Sequence, residues 1–252
     1  MNSTISHQLA HRAIREFTDQ PIDQATIETL KAVVNRTATS VGMQSYSLIR
    51  VQDHDIRAQI AAVGRQDYIN RIPEFWVFLV DCYRNAMVSR QQGFQLETEG
   101  DMDRFFQGWT DASLAAQNLL NAVESLGLGG NFYGCILTDA DRIIDILGLP
   151  ALTMPVVGVG FGYPNQDPML KPRMSMDHKM FQDRYVLFDD YVGMLQEYDE
   201  QMKQYYDLRQ ANKPMDSFTK QVVDKLHNPI GKRADLINTL KRQGFTLGLE
   251  EA

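Results

Sequence analysis

The chain has 252 residues, of which 44% are hydrophobic and 23% charged, a composition typical of a folded domain rather than a disordered or fibrous chain. Its formal net charge of −7 argues against nucleic acid as a partner, because such surfaces are built from clustered Lys and Arg. No stretch approaches the ~20 apolar residues that span a bilayer, and no leader pattern is visible. We therefore expect no membrane insertion and no secretion. The only cysteines, Cys82 and Cys135, favour a reducing cytoplasm.

Apolar periodicity and capping residues predict the elements of the N-terminal half. Asp23 and Asp53 each precede a helical pattern and are predicted N-caps. Residues 73–81 are too apolar for a one-sided sheet and predict a central strand. In chain order we predict a helix over 4–10, a helix after 23, a polar loop over 37–42, a strand over 45–51, a helix after 53, the strand over 73–81 and an acidic loop over 97–103.

The C-terminal half begins with residues 110–126, where apolar or small side chains cover most of the circumference and predict a helix buried nearly all round. Thr138 and Asp141 have capping-box spacing and predict the start of the next helix. The remaining predicted elements are a strand over 131–137, a short helix ending at 147, a β-rich run over 154–160, irregular chain over 164–189 and helices over 191–209, 215–227 and 229–243.

Two common kinds of site are disfavoured by spacing. The run Gly158-Val-Gly160-Phe-Gly162 has no third glycine at the offset that a dinucleotide loop requires, and no helix pattern follows it. We therefore interpret it as a core strand whose glycines permit close packing. The five histidines are scattered and there is no Cys-x-x-Cys pair, so no metal site is expected. No nucleophile elbow is present either.

Two basic groups stand far apart in the sequence. One is His11, Arg12 and Arg15, and the other is Lys171 with Arg173. Either group alone is typical of solvated surface charge. Together they could hold a phosphate, since arginine offers a planar bidentate fork and lysine a point charge.

Several longer motifs occur in order over almost the whole chain. They are His-Arg-Ala-Ile-Arg-Glu-Phe at 11–17 with Pro-Ile at 21–22, Glu-Phe-Trp-Val-Phe at 74–78 with Asp81, Ala-Gln-Asn at 116–118, Glu-Ser-Leu-Gly-Leu-Gly-Gly at 124–130, Gly-Tyr-Pro at 162–164, Leu-Lys-Pro-Arg at 170–173, and Tyr-Asp-Glu-Gln at 198–201 with Tyr-Tyr at 205–206 and Arg209. Together they resemble the oxygen-insensitive NADPH nitroreductase and flavin reductase family, within the FMN-dependent nitroreductase superfamily.

This resemblance implies a fold. Family members are α+β proteins with a central, mainly antiparallel sheet flanked by helices, and they form intertwined homodimers with one FMN in each of two interfacial clefts. The alternation of apolar strands and helices by itself equally allows a doubly wound parallel sheet. The resemblance further implies one FMN-binding domain over residues 1–252, with a C-terminal helical excursion over about 190–252.

The resemblance also implies the residues that hold FMN. Arg12, Lys171 and Arg173 correspond to the phosphate-binding positions, while His11 and Arg15 lie along the ribityl chain and the flavin. The remaining corresponding positions are Ala13 in place of a common serine, Thr39 as a hydroxyl donor, Gln66 at the isoalloxazine edge, and Tyr133, Gly134 and Cys135 along the flavin N5 and O4 edge, where Cys135 replaces a usual glycine.

The implied activity is a ping-pong oxidoreduction in which NAD(P)H reduces the flavin and an acceptor then enters the same pocket. Expected acceptors are nitroaromatics, quinones or free flavins. We expect no general acid or base, and Arg15 is the candidate that stabilises negative charge on the flavin. Arg209 and Lys213 are the candidate substrate-binding residues for NADPH, with NADH still usable. Two alternatives stay open: a flavin-binding or sensing protein without efficient turnover, and a structural dimer without flavin.

Overall fold

The computed structural model describes residues 2–95, 98–206, 214–228 and 231–246. They form two compact units, Met1–Gln166 with Ile230–Ala252, and Asp167–Pro229. The single domain with its helical excursion stays a prediction. The helices and strands are, in chain order, α1 (Ser3–Leu9), α2 (Gln24–Asn35), β1 (Tyr46–Arg50), α3 (His54–Gly64), β2 (Glu74–Asp81), α4 (Tyr83–Gln91), α5 (Met102–Ser125), β3 (Gly129–Tyr133), α6 (Ala140–Leu147), β4 (Thr153–Gly162), α7 (Gln196–Lys203), α8 (Phe218–His227) and α9 (Leu236–Arg242).

The first unit is built on a four-stranded sheet with the order β1-β2-β4-β3. Each neighbouring pair of strands is antiparallel. Strand β2 lies between β1 and β4 and every one of its residues is buried, which confirms the central strand predicted over 73–81. Helix α5 packs against all four strands. The fold is therefore α+β with an antiparallel sheet, and the doubly wound parallel alternative is excluded.

Three helices show where capping residues were predicted well and where they were not. Asp23 accepts a hydrogen bond from the backbone N of Thr26 at 2.9 Å, and Asp53 accepts one from the backbone N of Ile56 at 3.0 Å, so both N-caps are confirmed. At α6 the capping residue is Asp139, and the prediction that Thr138 caps this helix is wrong.

The error at α6 has a local cause. The predicted strand over 131–137 ends at Tyr133, and a 3₁₀ turn continues from Gly134 to Asp139. Thr138 lies inside this turn, so the helix begins one residue later than the capping-box spacing suggested.

Helix α5 differs from its prediction in length and in burial. It begins at Met102 rather than at 110. Ala115 and Leu119 on one face are completely buried, whereas Leu114 and Leu126 are each 48% exposed. The prediction of a helix buried nearly all round is thus wrong for a single chain, because the sheet and helix α2 together leave part of its circumference uncovered.

The glycine run at 158–162 lies in strand β4. A Cβ atom on Gly158 would stand 2.6 Å from the ring of Phe75, and one on Gly160 would stand 2.7 Å from the ring of Tyr133. These contacts leave room for glycine only. The interpretation as a closely packed core strand is confirmed.

The second unit contains irregular chain and two helices. Over residues 167–189 the structure has one 3₁₀ turn, Met176–His178, as the prediction of irregular chain required. Helices α7 and α8 are both shorter than the predicted helices over 191–209 and 215–227. They are joined by Asp199, which accepts a hydrogen bond from the backbone N of Thr219 at 3.0 Å. In the first unit, α9 is likewise shorter than the helix predicted over 229–243.

Candidate functional site

The segment carrying Arg12 and Arg15 is fixed along the edge strand β3. The backbone N of Ile14 donates to the carbonyl oxygen of Gly130 at 3.0 Å, and Ala13 forms an isolated parallel bridge with Gly130. Because Ala13 takes part through its backbone, the missing serine hydroxyl does not disturb this attachment. The side chain of Gln166 adds a second one, accepting from the backbone N of Glu16 at 2.9 Å.

The two arginines of this segment have unused donors. The Nε atoms of Arg12 and Arg15 are buried and meet no hydrogen-bond partner among the described residues. Burying a donor of a charged group without an acceptor lowers the free energy of unfolding, because the donor has lost its water and gained no hydrogen bond. A bound anion with several acceptor oxygens would satisfy such donors, so this pair fits the anionic part of a cofactor such as FMN.

His11 is held by a carboxylate. Its Nδ1 lies 2.5 Å from Oε1 of Glu124, which is on α5. The Glu124 side chain is 13% exposed and that of His11 is 32% exposed, so the carboxylate is the more shielded partner of the pair. Holding Nδ1 in this way orients the imidazole ring and leaves Nε2 as its other polar atom.

A second cluster joins Gln66 to the residues that follow β3. Oε1 of Gln66 accepts a hydrogen bond from the Tyr68 hydroxyl at 2.7 Å and one from the Cys135 thiol at 3.3 Å. The ring of Tyr68 also contacts that of Tyr133, with 6.0 Å between centroids. The fold thus brings together three predicted site residues, Gln66, Tyr133 and Cys135.

Neither Tyr133 nor Cys135 ionises near neutral pH. Burial raises the pKa of the Cys135 thiol to about 11, and burial also raises the pKa of Tyr133 above its ordinary value. Both side chains therefore stay protonated. Cys135 packs against the hydrophobic core, in keeping with a small, partly buried apolar side chain.

Gly134 presents a bare backbone. A Cβ atom added there would meet nothing within 4 Å, and the residue does not have a positive φ. The other described glycines with such open space have positive φ values that explain the glycine, namely Gly42, Gly93, Gly127, Gly148 and Gly231. Neither chain conformation nor packing within the chain accounts for Gly134. Close approach of a ligand to the backbone is one of the reasons for which a glycine is kept at such a position.

The loop that carries Thr39 is anchored by a buried carboxylate that the sequence analysis missed. Asp111, which is fully buried on α5, accepts hydrogen bonds from the backbone N of Ser40 at 2.7 Å and of Ser45 at 3.1 Å. The sequence does contain a signal for this buried carboxylate, because helical spacing places Asp111 on the same apolar face as Ala115. An acid on such a face needs hydrogen-bond donors from elsewhere in the fold. Gln166 and Tyr68 were missed as well.

The basic residues of the second unit have a more open setting. The ammonium group of Lys171 lies 5.9 Å from the ring centroid of Tyr205, and Arg173 is exposed. Between them, the carbonyl oxygen of Pro172 accepts from the Tyr198 hydroxyl at 3.4 Å. Arg209 and Lys213 lie outside the described residues.

Within the described residues, no group of three or more His, Cys, Asp or Glu side chains is arranged to hold a metal ion. No helix in the same part of the chain is both long enough and apolar enough to cross a bilayer.

Comparison with known proteins agrees with these features. The chain matches the Nitroreductase family over residues 9–163 and the Nitroreductase family, C-terminal domain, over residues 171–248. It is 32% identical to the oxygen-insensitive NADPH nitroreductase of Salmonella typhimurium, covering 97% of this chain and 99% of that one. It is 31% identical to the FMN reductase (NADPH) of Bacillus subtilis, again covering 97% and 99%.

Among solved structures, the NADPH:FMN oxidoreductase of Vibrio harveyi in complex with NAD+ superposes with a TM-score of 0.85 at 29% identity, covering 97% of this chain and 99% of that one. The family match spans well over half of the chain, and the relatives match over nearly their whole length. The chain belongs to the Nitroreductase family.

Proposed function

We propose that this protein is an FMN-dependent oxidoreductase that uses NADPH to reduce nitroaromatic compounds, quinones or free flavins. Its relatives are an NADPH nitroreductase, an FMN reductase (NADPH) and an NADPH-flavin oxidoreductase, which supports both the cofactor and the reductant. The structural observation that carries the proposal is the pair of buried, unpartnered arginine Nε atoms in the segment 11–15.

The FMN-binding residues are assigned from the family resemblance and supported by their surroundings. The residues assigned to the phosphate by this resemblance are Arg12, Lys171 and Arg173, whose charge-assisted donors are the natural partners of a dianion. The other assigned residues are His11, Ala13, Arg15, Thr39, Gln66, Tyr133, Gly134 and Cys135.

When bound, FMN supplies the two-electron transfer between NADPH and the acceptor in alternating half-reactions. The protein positions the reactants and supplies electrostatic stabilisation. Arg15 stabilises negative charge on the flavin with a guanidinium whose Nε atom is already buried. Tyr133 and Cys135 stay neutral because burial raises their pKa values, so neither is available as a general base at neutral pH.

The reductant is selected through Arg209, with Lys213 as a second contact to the 2′-phosphate of NADPH. Replacing Arg209 by Ala removes one charge-assisted contact, so kcat/KM for NADPH falls by about tenfold or more while that for NADH changes little. An equal fall for both reductants would place the 2′-phosphate contact elsewhere.

The protein works as a cytoplasmic homodimer. Exposed apolar side chains on α5, among them Phe106 at 60% and Leu114 at 48%, support an interface with a second chain, and an obligate interface of this type buries more than ~2,000 Å². Light scattering of the FMN-loaded protein should give twice the mass of one chain. The mass of a single chain would contradict the dimer.

The central test is optical. The purified protein, incubated with FMN and desalted, should show a flavin absorption spectrum with about one FMN per chain, and NADPH should bleach it under anaerobic conditions. Restoration of the spectrum by a quinone or a nitroaromatic completes the cycle. Bound flavin that NADPH does not bleach would indicate a flavin-binding protein without turnover, and absence of flavin would refute the whole proposal.

A further inference from the structure

We propose that Glu124 is a positioning residue for FMN. It holds the imidazole of His11 through Nδ1 and leaves Nε2 to form a hydrogen bond with a hydroxyl group of the ribityl chain. This inference rests on the proposed FMN site and deepens it, because it adds a residue outside the assigned set and names the group that His11 meets.

The carboxylate of Glu124 stands where its helix gains nothing from it. Glu124 is the last residue but one of α5, and the last turn of this helix has no basic residue. A negative charge at a helix C-terminus is unfavourable. The stability of α5 therefore does not account for an acid at this position, whereas the contact of its Oε1 with Nδ1 of His11, 113 residues away in the chain, does.

The orientation of the imidazole ring follows from the chemistry of the two partners. A carboxylate only accepts hydrogen bonds, so the ring atom that faces it carries a proton. Turning the ring over about its Cβ–Cγ bond would place the carbon Cδ2 at the carboxylate, and a C–H group is a much weaker donor than N–H. The contact thus fixes Nδ1 as a donor in the neutral and in the charged imidazole alike. Nε2 is the ring nitrogen that remains for a ligand.

This remaining nitrogen is available. Within the described residues Nε2 of His11 has no hydrogen-bond partner, and it is not among the buried atoms. A ligand that enters the site can therefore reach it without displacing a hydrogen bond inside the protein.

The turn that carries Glu124 also holds the rest of the segment 11–15. At its other end, the carbonyl oxygen of Gly130 accepts from the backbone N of Ile14 at 3.0 Å. A Cβ atom on Gly129 would lie 2.5 Å from the Ile14 side chain, so the two chains are in close contact there. His11 and Ile14 are held at the two ends of one turn, and Arg12 lies between them in the sequence. Nε2 of His11 is therefore fixed relative to the arginine that is assigned to the phosphate.

The chemistry of Nε2 selects the group of FMN that it meets. Nε2 accepts a hydrogen bond when the imidazole is neutral and donates one when the imidazole is charged. A hydroxyl group can donate to the first form and accept from the second, whereas a phosphate dianion only accepts and fits the charged form alone. The hydroxyl groups of FMN are those of the ribityl chain. A ribityl hydroxyl is therefore the partner that His11 can bind in either protonation state.

The contact between Glu124 and His11 is testable without FMN. Nitrogen NMR of histidine labelled with ¹⁵N distinguishes ring nitrogens that carry a proton from those that do not, and the spectrum of His11→Gln identifies the His11 signals among the five histidines. At a pH where the imidazole is neutral, we expect the proton of His11 on Nδ1. Glu124→Leu should move much of it to Nε2, the position that a histidine side chain in water prefers. Unchanged His11 signals in Glu124→Leu would overturn the proposal.

The consequence for the cofactor is measured by a double-mutant cycle on the dissociation constant of FMN. Glu124→Leu and His11→Ala should each weaken FMN binding by about tenfold, the effect of losing one hydrogen bond with a fixed geometry. If Glu124 acts through His11, the double variant should bind FMN no more weakly than His11→Ala alone. Glu124→Gln keeps an acceptor oxygen and should retain most of the affinity. Asp145→Leu, at an exposed carboxylate of α6, is the control and should bind FMN as the parent does.

The assignment to a hydroxyl is tested with FMN analogues that each lack one hydroxyl of the ribityl chain. For one of these analogues, Glu124→Leu and the parent should have the same dissociation constant. An equal effect of Glu124→Leu on every analogue would show that Nε2 does not meet a ribityl hydroxyl.

The outcomes separate this inference from the proposed function. If the parent binds FMN and NADPH reduces it, but the losses in Glu124→Leu and His11→Ala add up in the double variant, Glu124 does not act through His11 and the function stands. If the parent binds no FMN, both fail, whatever the NMR spectrum shows. Thermal unfolding of each variant checks that the fold is retained, and Glu124→Gln provides the comparison if Glu124→Leu does not fold.

Discussion

The two basic segments of this chain carry similar charges in different settings. Arg12 and Arg15 belong to a segment that is hydrogen-bonded to β3, and their Nε atoms are buried. Arg173 follows an irregular stretch and is exposed. Charge alone therefore does not describe what each segment offers to an anion.

The difference concerns when the cost of desolvation arises. The buried donors of Arg12 and Arg15 have left water during folding, so an anion that binds them gains their full interaction. Arg173 still has to lose its water and its side-chain freedom on binding. We therefore expect the segment with Arg12 and Arg15 to contribute more than Arg173 to the affinity for FMN.

The largest effect is expected in the first unit, at the buried carboxylate that anchors the loop carrying Thr39. Asp111→Ala leaves the backbone N–H groups of Ser40 and Ser45 without their carboxylate, and two hydrogen bonds to a charged group are worth roughly 3–6 kcal/mol. Urea unfolding should show a loss of that order. Asp145→Ala, at an exposed aspartate on α6, is the control and should change the unfolding free energy by about 0.5 kcal/mol or less. Equal losses would show that Asp111 is no special anchor.

The next effect concerns Arg12. Arg12→Ala should weaken FMN binding by about a hundredfold or more, since at least two charge-assisted bonds of roughly 1.5–3 kcal/mol each are lost. The stability of the protein without FMN should stay the same or rise, because an unpartnered buried donor disappears. Fluorescence titration and thermal unfolding measure the two quantities. Arg36→Ala, at an exposed arginine, serves as the control; a large loss of stability in Arg12→Ala would contradict the assignment.

A smaller effect is expected at Arg173. Arg173→Ala should weaken FMN binding by about tenfold to a hundredfold, which is less than Arg12→Ala does. The reason is that an exposed guanidinium must lose bound water when it contacts the phosphate, and this cost offsets part of the binding free energy. Lys179→Ala, at another exposed cation of the same unit, should leave the affinity unchanged. Should Arg173→Ala prove more damaging than Arg12→Ala, the ranking of the two segments is reversed.

The smallest effect is the dependence on salt. At an ionic strength of 0.15 M the screening length is about 8 Å, and exposed charges are screened far more than buried ones. Raising the salt concentration should weaken FMN binding by a few-fold in the parent. Arg173→Ala should reduce this dependence more than Arg12→Ala does. Identical salt dependence in both variants would mean that the two arginines are equally exposed in the complex.

Much of the local structure followed from short-range patterns. Asp23 and Asp53 were predicted as N-caps because a carboxylate before an apolar helical pattern satisfies free N–H groups, and both do so. The apolar run of β2 identified the central strand. The start of α6 was misplaced because Thr138 has the right side chain for a cap but lies within a 3₁₀ turn.

The candidate site was predictable only in part. The resemblance named Gln66 and Cys135 separately, yet their hydrogen bond joins positions 69 residues apart. Nothing in the spacing reveals that Tyr68 shares the same acceptor, or that Asp111 reaches Ser40 across 71 residues. Such contacts depend on how helices, strands and loops pack against one another. Local sequence patterns do not determine the distances between side chains on different elements.

The sequence by itself determined the family, the capped helices and the apolar central strand, because each depends on neighbouring residues or on motifs in a fixed order. Only the tertiary structure decided the strand order β1-β2-β4-β3, the exposure of Phe106 and Leu114 on α5, and the open space at Gly134 that the conformation of this residue does not require. The physical reason is that strand pairing, burial and free space are properties of surfaces brought together from distant parts of the chain.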